Sequence, residues 1–253
     1  MRYRATVCYD GTAFFGFQRQ LNQRSVQGEL ESTIEKVLGT DKRVIVHGAG
    51  RTDTGVHATG QVIAFETPED WKHEIARLQK AINVNLPFDV AIRDVVECDE
   101  RFSPRFSAVS RTYEYSVLVF EGVRRPLSRL YEWQVDDLPD TQRMNELAQE
   151  WVGEHDFAAF GSAPVGEETV RQVVQARWEQ QQPDANRNIR LTFRIEANAF
   201  LFRMVRRMVM TMMRVGHGKQ DAGEVNRMMI DTQGNGATGA APACGLCLVN
   251  VRY

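Results

Sequence analysis

The chain has 253 residues, is 43% hydrophobic and carries a formal net charge of −2 at neutral pH. This length buries a full core in one large or two small domains, and no uncharged apolar run is long enough to span a membrane. The start of the chain alternates polar and apolar residues, unlike a signal peptide, and the four cysteines favour a reducing compartment. We therefore expect a cytoplasmic protein with no membrane partner.

The first half of the chain alternates strand signals with helix signals. Strands are predicted over residues 2–9, 43–47, 61–66 and 90–97. Apolar residues at helical spacing, behind a Ser25 cap and before a Gly39 terminator, predict a first helix. A second helix is predicted by the apolar positions Trp71, Ile75, Leu78 and Ile82.

The second half repeats this composition of elements. Strands are predicted over residues 110–120, 170–179, 188–197 and 246–252. A third helix is predicted by Met144, Leu147, Trp151 and Val152, and a fourth over residues 199–215. Four strands and two helices in each half predict an α+β fold of two ferredoxin-like (RRM-like) halves, with joined antiparallel sheets and a cleft between them. We place the boundary near Ser103 and Pro104, giving domains 1–104 and 105–253.

Residues 48–58 (GAGRTDTGVHA) are the most informative stretch, because three glycines, an arginine and one carboxylate fall within it. The stretch lies between two strand signals, so it predicts a glycine-rich loop that presents Asp53 at a strand end. Glycines let the backbone approach a ligand closely, and the planar donor fork of Arg51 suits phosphate. This combination favours nucleophilic chemistry beside a phosphodiester.

Other interpretations of this loop are available. An isolated Asp-Thr-Gly tripeptide is most often a turn that the aspartate caps. A dinucleotide fingerprint is excluded because Asp53 stands where the third glycine belongs, and no P-loop lysine is present. An aspartic protease requires a second Asp-Thr/Ser-Gly, or a short chain that dimerises around one. From the tripeptide alone, a structural turn is the favoured interpretation.

Charge is distributed unevenly along the chain. An acid-free basic run comprises Arg203, Arg206, Arg207, Arg214 and Lys219. A second run, with few acids, lies between residues 101 and 129, whereas residues 132–156 contain eight acids and one arginine. The net charge argues weakly against nucleic-acid binding, but a polarised protein with one basic surface fits this distribution. The alternative is that each run is an ordinary solvated face.

The full 48–58 string resembles the active-site signature of the TruA family of tRNA pseudouridine synthases. The resemblance continues, in order, through residues 9–12 (YDGT), 16–20 (GFQRQ), 25–30 (SVQGEL), 105–108 (RFSA), 111–115 (RTYEY), 198–201 (NAFL), 204–206 (MVR) and 241–246 (APACGL). Two departures are Phe17, where the family usually has tryptophan, and Ala241, where a second proline is common. Both lie outside the expected chemistry.

The resemblance implies a pseudouridine synthase fold and an enzyme that isomerises uridine in the anticodon stem-loop of tRNA. It implies Asp53 as the catalytic aspartate, Arg206 as its paired arginine and Tyr113 as the tyrosine against the target base. It also implies Leu246 as a further substrate-binding residue and a homodimeric enzyme. Arg51 is our candidate for the space that the flipped nucleotide leaves, because its planar cation both stacks and binds phosphate.

No metal or cofactor is predicted. Isomerisation changes no redox state and transfers no group to a second molecule. Cys244 and Cys247 form a CxxC without the second pair or the histidines of a zinc site. The methionines of residues 199–215 are predicted to fill the core rather than to bind a ligand.

The helix predicted over residues 199–215 separates apolar from basic positions. At 100° per residue Arg203, Arg207 and Arg214 group opposite the apolar face, and we expect them to bind RNA phosphate. Arg206 falls at the edge of the apolar face, where an arginine either extends to water or meets a buried carboxylate. A non-catalytic RNA-binding protein on the same fold is the alternative function, and it needs neither Asp53 nor Arg206.

Overall fold

The computed structural model of the protein describes residues 1–68, 74–163, 166, 168–231 and 236–253. Trp71, expected in the second helix, lies outside these residues. By contacts the chain divides into a first unit, Met1–Val109 with Cys247–Tyr253, and a second unit, Ser110–Leu246. The predicted division into contiguous domains at residue 104 stays a prediction, and the last strand of the chain groups here with the first unit.

Strands and helices alternate through the described residues. The strands are β1 (Arg2–Tyr9), β2 (His47–Gly48), β3 (His57–Glu66), β4 (Val90–Glu97), β5 (Ser110–Val119), β6 (Trp133–Val135), β7 (Gly153–Asp156), β8 (Val170–Gln180), β9 (Ile189–Ala197) and β10 (Leu246–Arg252). The helices are α1 (Val26–Leu38), α2 (Ile75–Asn85), α3 (Thr141–Glu150), α4 (Met204–Gly216) and α5 (Ala222–Ile230). The α+β class is therefore confirmed, consistent with the fold that the resemblance implies. None of these helices is both long and apolar enough to cross a membrane.

The sheet of the first unit has the order β4-β1-β3-β10. β4, β1 and β3 are antiparallel, β10 runs parallel to β3, and the short β2 also pairs with β3. β1 alternates buried residues with more exposed ones, as its sequence predicts for a strand with one face in the core. The register places the start of β3, where the 48–58 stretch ends, beside the end of β1.

Helix α1 begins and ends where its capping residues predict. The Ser25 side chain accepts a hydrogen bond from the Gly28 amide, which satisfies one of the free N–H groups of the first turn. Gly39 adopts a left-handed conformation with φ 60° and ends the helix. Leu30 and Ile34 are fully buried, so the helix contributes the apolar face that its periodicity predicts.

The strand predicted over residues 43–47 is wrong, apart from His47. Val44 and Val46 are buried and Ile45 is exposed, so the strand-like alternation is real. However, the amides of Val44 and Val46 donate to the side chains of Glu35 and Glu31 on α1, at 2.9 and 3.3 Å. Helix side chains take the place of a neighbouring strand at these amides, a tertiary arrangement that alternation cannot reveal.

The sheet of the second unit has the order β5-β9-β8-β7, with all three pairings antiparallel. The three-residue β6 pairs in parallel with β5. Helix α4 packs against β8, where the Trp178 indole N–H lies 3.2 Å from the Met212 sulfur. The α4 methionines Met204, Met208 and Met212 are buried, as their predicted role in the core requires.

The two units protect strand edges with the same device. In the first unit the Asn83 side chain on α2 bonds both the N–H and the C=O of Ile92 in edge strand β4, each at 2.8 Å. In the second unit Asn145 on α3 does the same for Trp178 in β8, at 2.7 and 3.1 Å. Each amide occupies backbone groups that would otherwise pair with a further strand.

The fourth helix begins at Met204, five residues later than predicted. Earlier backbone groups are bonded elsewhere: the Ala199 amide donates to the Asn198 side chain, and the Phe202 amide donates to the carbonyl of Ser162. Arg203, at the N-cap position, has φ 60° and cannot continue a right-handed helix. Helix α5 and the short strands β6 and β7 were not anticipated.

Candidate active site

The loop that carries Asp53 joins β2 to β3 in the first unit. Thr52 is buried, Asp53 is half-buried and Arg51 is exposed, so a buried residue separates the two charged ones. The turn closes through a 3.1 Å hydrogen bond from the Val56 amide to the Asp53 carbonyl. Gly55 lies within this turn with φ 77°, a conformation that favours glycine.

Thr52 anchors the loop through hydrogen bonds of both its side chain and its backbone. Its hydroxyl lies 2.8 Å from the Tyr9 hydroxyl in a buried hydrogen bond. Its carbonyl accepts from the Phe17 amide at 3.1 Å. A β-carbon added at Gly16 would lie 2.7 Å from the same carbonyl, so a larger residue at Gly16 would displace the backbone next to Asp53.

The start of the loop is held by β3 and by the ring of Phe17. The Gln61 side chain, fully buried on β3, donates to the Gly50 carbonyl at 2.8 Å. The Ala49 amide donates to the Val62 carbonyl at 2.8 Å. A β-carbon at Gly48 would overlap the ring of Phe17, so a larger residue there would displace that ring.

The end of the loop contacts the turn that follows β1. A β-carbon added at Gly11 would overlap the carbonyl oxygen of Val56, so these two backbones are in direct contact. The Gly11 amide donates to Nδ1 of His57 at 3.0 Å. The motifs at 9–12 and 16–20, far from the loop in sequence, therefore form the support of the Asp53 turn.

The second unit contains the predicted tyrosine and arginine residues. Tyr113 on β5 is 8% exposed, and its ring meets that of Phe200 edge to face with 5.1 Å between centroids. Tyr115 is fully buried and donates to the Pro242 carbonyl at 2.8 Å. Burial raises the pKa of Tyr115 well above its usual value, so its hydroxyl stays protonated.

Arg206 is half-buried on the first turn of α4. Its Nε donates to the Ala241 carbonyl at 2.8 Å, and its own carbonyl accepts from the Ala241 amide at 2.9 Å. This double contact joins the MVR motif to residues 241–246. Burial raises the pKa of the nearby Cys244 thiol, and Arg206 partly offsets that effect.

Leu246 ends the 241–246 motif and begins β10. It is 6% exposed and follows a short 3-10 turn over Ala243–Gly245. A β-carbon at Gly245 would lie 2.6 Å from the Tyr115 ring, so the turn packs closely on β5. The position of Leu246 therefore depends on the same tyrosine that contacts Pro242.

The three arginines predicted to bind phosphate do not form a single helical face. Arg203 precedes α4, is exposed, and lies over the Phe202 ring with 4.9 Å to its centroid. Arg207 is half-buried within the helix, and Arg214 donates to the Thr238 hydroxyl at 2.9 Å. The prediction that placed Arg203 on one helical face with Arg207 and Arg214 assumed a helix over residues 199–215. That grouping is wrong for Arg203, because the helix begins after it. Their role in phosphate binding stays a prediction.

Comparisons with known proteins cover both units. A family model described as tRNA pseudouridine synthase matches residues 5–107 and 147–253. A relative from Pseudothermotoga lettingae, named tRNA pseudouridine synthase A, is 39% identical over 100% of this chain and 99% of its own length. Relatives of the same name are 37% identical in Bacillus pumilus, over 100% and 99% of the two chains, and in Geobacter sp. strain M21, over 97% and 96%.

The chain belongs to the tRNA pseudouridine synthase family.

Members of this family are isomerases that convert uridine to pseudouridine. The family match includes the Asp53 loop and Arg206, whereas Tyr113 lies between its two matched segments. Asp53 and Arg51 belong to the first unit, and Tyr113 and Arg206 to the second.

Sequence reasoning missed two residues of the loop support, Gln61 and His57. Both are buried at the start of β3, and both bond the backbone of another segment. The available signal was a polar side chain at each position, directly after a glycine-rich loop and before an apolar strand. Nothing in that pattern names the backbone group that each side chain bonds, because Gly50 and Gly11 lie on different segments.

Proposed function

We propose that this enzyme isomerises uridine to pseudouridine in the anticodon stem-loop of tRNA, with Asp53 as nucleophile. The observation that carries the proposal is the Asp53 turn: one carboxylate, half-buried, on a backbone that three other segments support. A preorganised carboxylate suits attack on a sugar or a base, because no reorganisation is needed at the moment of reaction. The reaction needs no cofactor or metal for its chemistry.

The chemistry breaks one bond and forms another on the same nucleoside. Asp53 attacks the ribose C1′ or the uracil C6, or takes a proton in forming a glycal, and the N-glycosidic bond opens. The detached uracil turns, and its C5 bonds to C1′. On the C1′ route Asp53 leaves C1′ as C5 bonds to it; on the C6 route it leaves C6, and on the glycal route it returns its proton. A base takes the C5 proton, which restores the conjugated ring, and N1 gains a proton. Atoms and electrons balance within the nucleoside, so Asp53 is regenerated.

The other site residues have distinct proposed roles. Tyr113 lies against the extruded base, since an aromatic ring at this point stacks on uracil. Arg206 keeps the nucleophile ionised, since a neighbouring guanidinium favours the charged form of a carboxylate. Arg51, exposed beside Asp53, fills the space of the flipped nucleotide, and Leu246 contacts the substrate. Arg203, Arg207 and Arg214 bind tRNA phosphates.

The Asp53→Asn variant tests the proposal. The amide keeps the shape of the side chain but is not a nucleophile, so pseudouridine formation should fall by at least about a thousandfold. Affinity for tRNA should stay within a few-fold of the wild type. The measurement is pseudouridine mapping in tRNA together with a binding isotherm for each protein. Turnover near that of the wild type would refute the nucleophile assignment.

The same experiment separates the enzyme from the alternative, a non-catalytic RNA-binding protein. Such a protein would leave every uridine of the tRNA unchanged, with or without Asp53. We also propose that the protein acts in the cytoplasm and as a homodimer. Light scattering of the purified protein tests the dimer, and a monomeric mass at micromolar concentration would contradict it.

A further inference from the structure

His57 lies four residues after Asp53, at the first position of β3, and is 7% exposed. Its Nδ1 accepts the N–H of Gly11 at 3.0 Å, in a buried hydrogen bond between two segments far apart in sequence. An imidazole nitrogen that accepts a hydrogen bond carries no proton. The bond from the Gly11 amide is therefore one that only a His57 ring with its proton on Nε2 accepts.

Gly11 connects His57 to the Asp53 turn through a backbone contact. Its backbone contacts the carbonyl of Val56 so closely that a β-carbon would overlap it. The Val56 amide in turn closes the turn by donating to the Asp53 carbonyl at 3.1 Å. A shift of Gly11 is therefore passed directly to the backbone that sets the position of the Asp53 carboxylate.

A second group competes for the same nitrogen. Oδ1 of Asp10 lies 3.2 Å from Nδ1 of His57. The Asp10 carboxylate is held in place, because Oδ1 also accepts from the Thr12 amide at 3.0 Å and from its hydroxyl at 2.6 Å. A neutral ring bonds Gly11 through Nδ1, whereas a protonated ring donates from Nδ1 to Asp10. One nitrogen cannot serve both partners at once.

We infer that His57 is a positioning residue for Asp53, active only in its neutral form. Protonation transfers Nδ1 from Gly11 to Asp10 and withdraws a support from the Asp53 turn, so turnover falls at mildly acidic pH. The inference rests on the proposed role of Asp53.

The charged and titratable groups around His57 favour such a switch. Asp10 faces it from the end of β1, and Cys247 is its register partner on β10. Asp53 is the carboxylate of the turn that it supports. The Asp10 backbone is itself held by a 3.0 Å bond from its amide to the carbonyl of Asp89. Asp10 therefore offers a protonated Nδ1 an acceptor 3.2 Å away.

Two substitutions of His57 separate positioning from packing. In His57→Asn the side-chain oxygen occupies the position of Nδ1, accepts from Gly11 and does not titrate. Well above the ordinary pKa of histidine, about 6.5, its kcat should lie within about threefold of the wild type. His57→Leu removes the acceptor, and its kcat should fall at least about tenfold with KM nearly unchanged.

The pH profile decides the proposal. In the pH–rate profile of the wild type, we expect turnover to fall on the acidic limb, near the ordinary pKa of a histidine. His57→Asn should not show that fall. Asp10→Asn keeps a carbonyl oxygen for Thr12 but removes the charge beside Nδ1, so it should move that limb to lower pH. An unchanged limb in both variants, or a His57→Leu enzyme as fast as the wild type, overturns the inference.

A readout independent of activity covers the case in which a variant folds poorly or Asp53 is not the nucleophile. The ¹⁵N shifts of the His57 ring in the intact wild-type enzyme report which nitrogen carries the proton. We expect an unprotonated Nδ1 at neutral pH and a midpoint that falls in Asp10→Asn. A proton on Nδ1 at neutral pH refutes the inference even if Asp53 is the nucleophile. Failure of the Asp53→Asn test alone, with the expected ¹⁵N result, refutes only the proposed function.

Discussion

The Asp53 loop and helix α4 each present a charged group, but they hold it by different means. The loop is held by backbone contacts, in which Gly11 and Gly16 approach the carbonyls of Val56 and Thr52. On α4 the backbone is an ordinary helix, and Arg206 is held by its side-chain bond to Ala241. A backbone-held group tolerates no added atom at its supports, whereas a side-chain-held group depends on the geometry of its own hydrogen bonds.

This difference explains why the loop has a long sequence motif and the helix a short one. The Asp53 loop needs glycines inside it, because a β-carbon at Gly48 would overlap the Phe17 ring and Gly55 has φ 77°, so its signature is dense within residues 48–58. The glycines that support it from outside, Gly11 and Gly16, lie in separate short motifs. A helix requires only the right side chain at one position, and its remaining residues serve the core. The arginine motif is therefore short, and its neighbours Met204 and Met208 carry no chemical signal.

Among the variants that test this difference between loop and helix, the largest effect is expected from Gly11→Ala, with Gly50→Ala as its control. Gly11, in the turn after β1, has no space for a β-carbon. A β-carbon at Gly50, in the loop that carries Asp53, meets nothing within 4 Å. Gly11→Ala should displace the Asp53 turn and reduce kcat roughly 100-fold, because small misplacements of a catalytic group cost about that much. Gly50→Ala should stay within a few-fold of the wild type.

Steady-state kinetics with thermal unfolding measure both variants. Equal kcat values for Gly11→Ala and Gly50→Ala would show that the close approach at Gly11 has no influence on Asp53. A Gly11→Ala protein that does not fold would leave Gly16→Ala as the equivalent test, since that β-carbon meets the Thr52 carbonyl.

A smaller effect is expected from Arg206→Lys. The lysine keeps the charge but lacks the Nε donor that bonds Ala241 and the planar fork of a guanidinium, so turnover should fall at least about tenfold. Folding should survive, as judged by the unfolding midpoint. Arg143→Lys on α3, where the arginine is exposed, provides the control.

The pH–rate profile of Arg206→Met tests whether Arg206 keeps the nucleophile ionised. A carboxylate without its cation takes up a proton more readily, so the acidic limb should move to higher pH. Superimposable profiles for this variant and the wild type would withdraw the assignment of Arg206.

The smallest effect is expected from neutralising Arg203, Arg207 or Arg214 singly. Each phosphate contact contributes about one unit to the slope of log affinity against log salt, so the slope for tRNA should fall by about one in each variant. Titrations at several salt concentrations measure it. Unchanged slopes in all three variants would show that these arginines do not bind tRNA phosphates.

Much of the architecture was readable from local patterns. β1, β4 and β10 have the predicted bounds, and α1 begins behind its Ser25 cap and ends at Gly39. Local signals suffice there because the caps and the alternation are properties of the segments themselves. Residues 43–47 failed because their backbone bonds helix α1, and residues 199–203 failed because theirs bond other segments and Arg203 reverses its φ angle.

The sequence by itself determined the family and the Asp53 loop, because the glycines, the arginine and the carboxylate of that loop fall within eleven consecutive residues. Only the tertiary structure decided which segments support that loop. Tyr9, Gly11, Phe17 and Gln61 bond or contact it from positions that no local period connects. Tertiary structure likewise assigned the last strand, β10, to the first unit by pairing it with β3. Contacts between distant segments depend on how the whole core packs, and a local pattern carries no information about that packing.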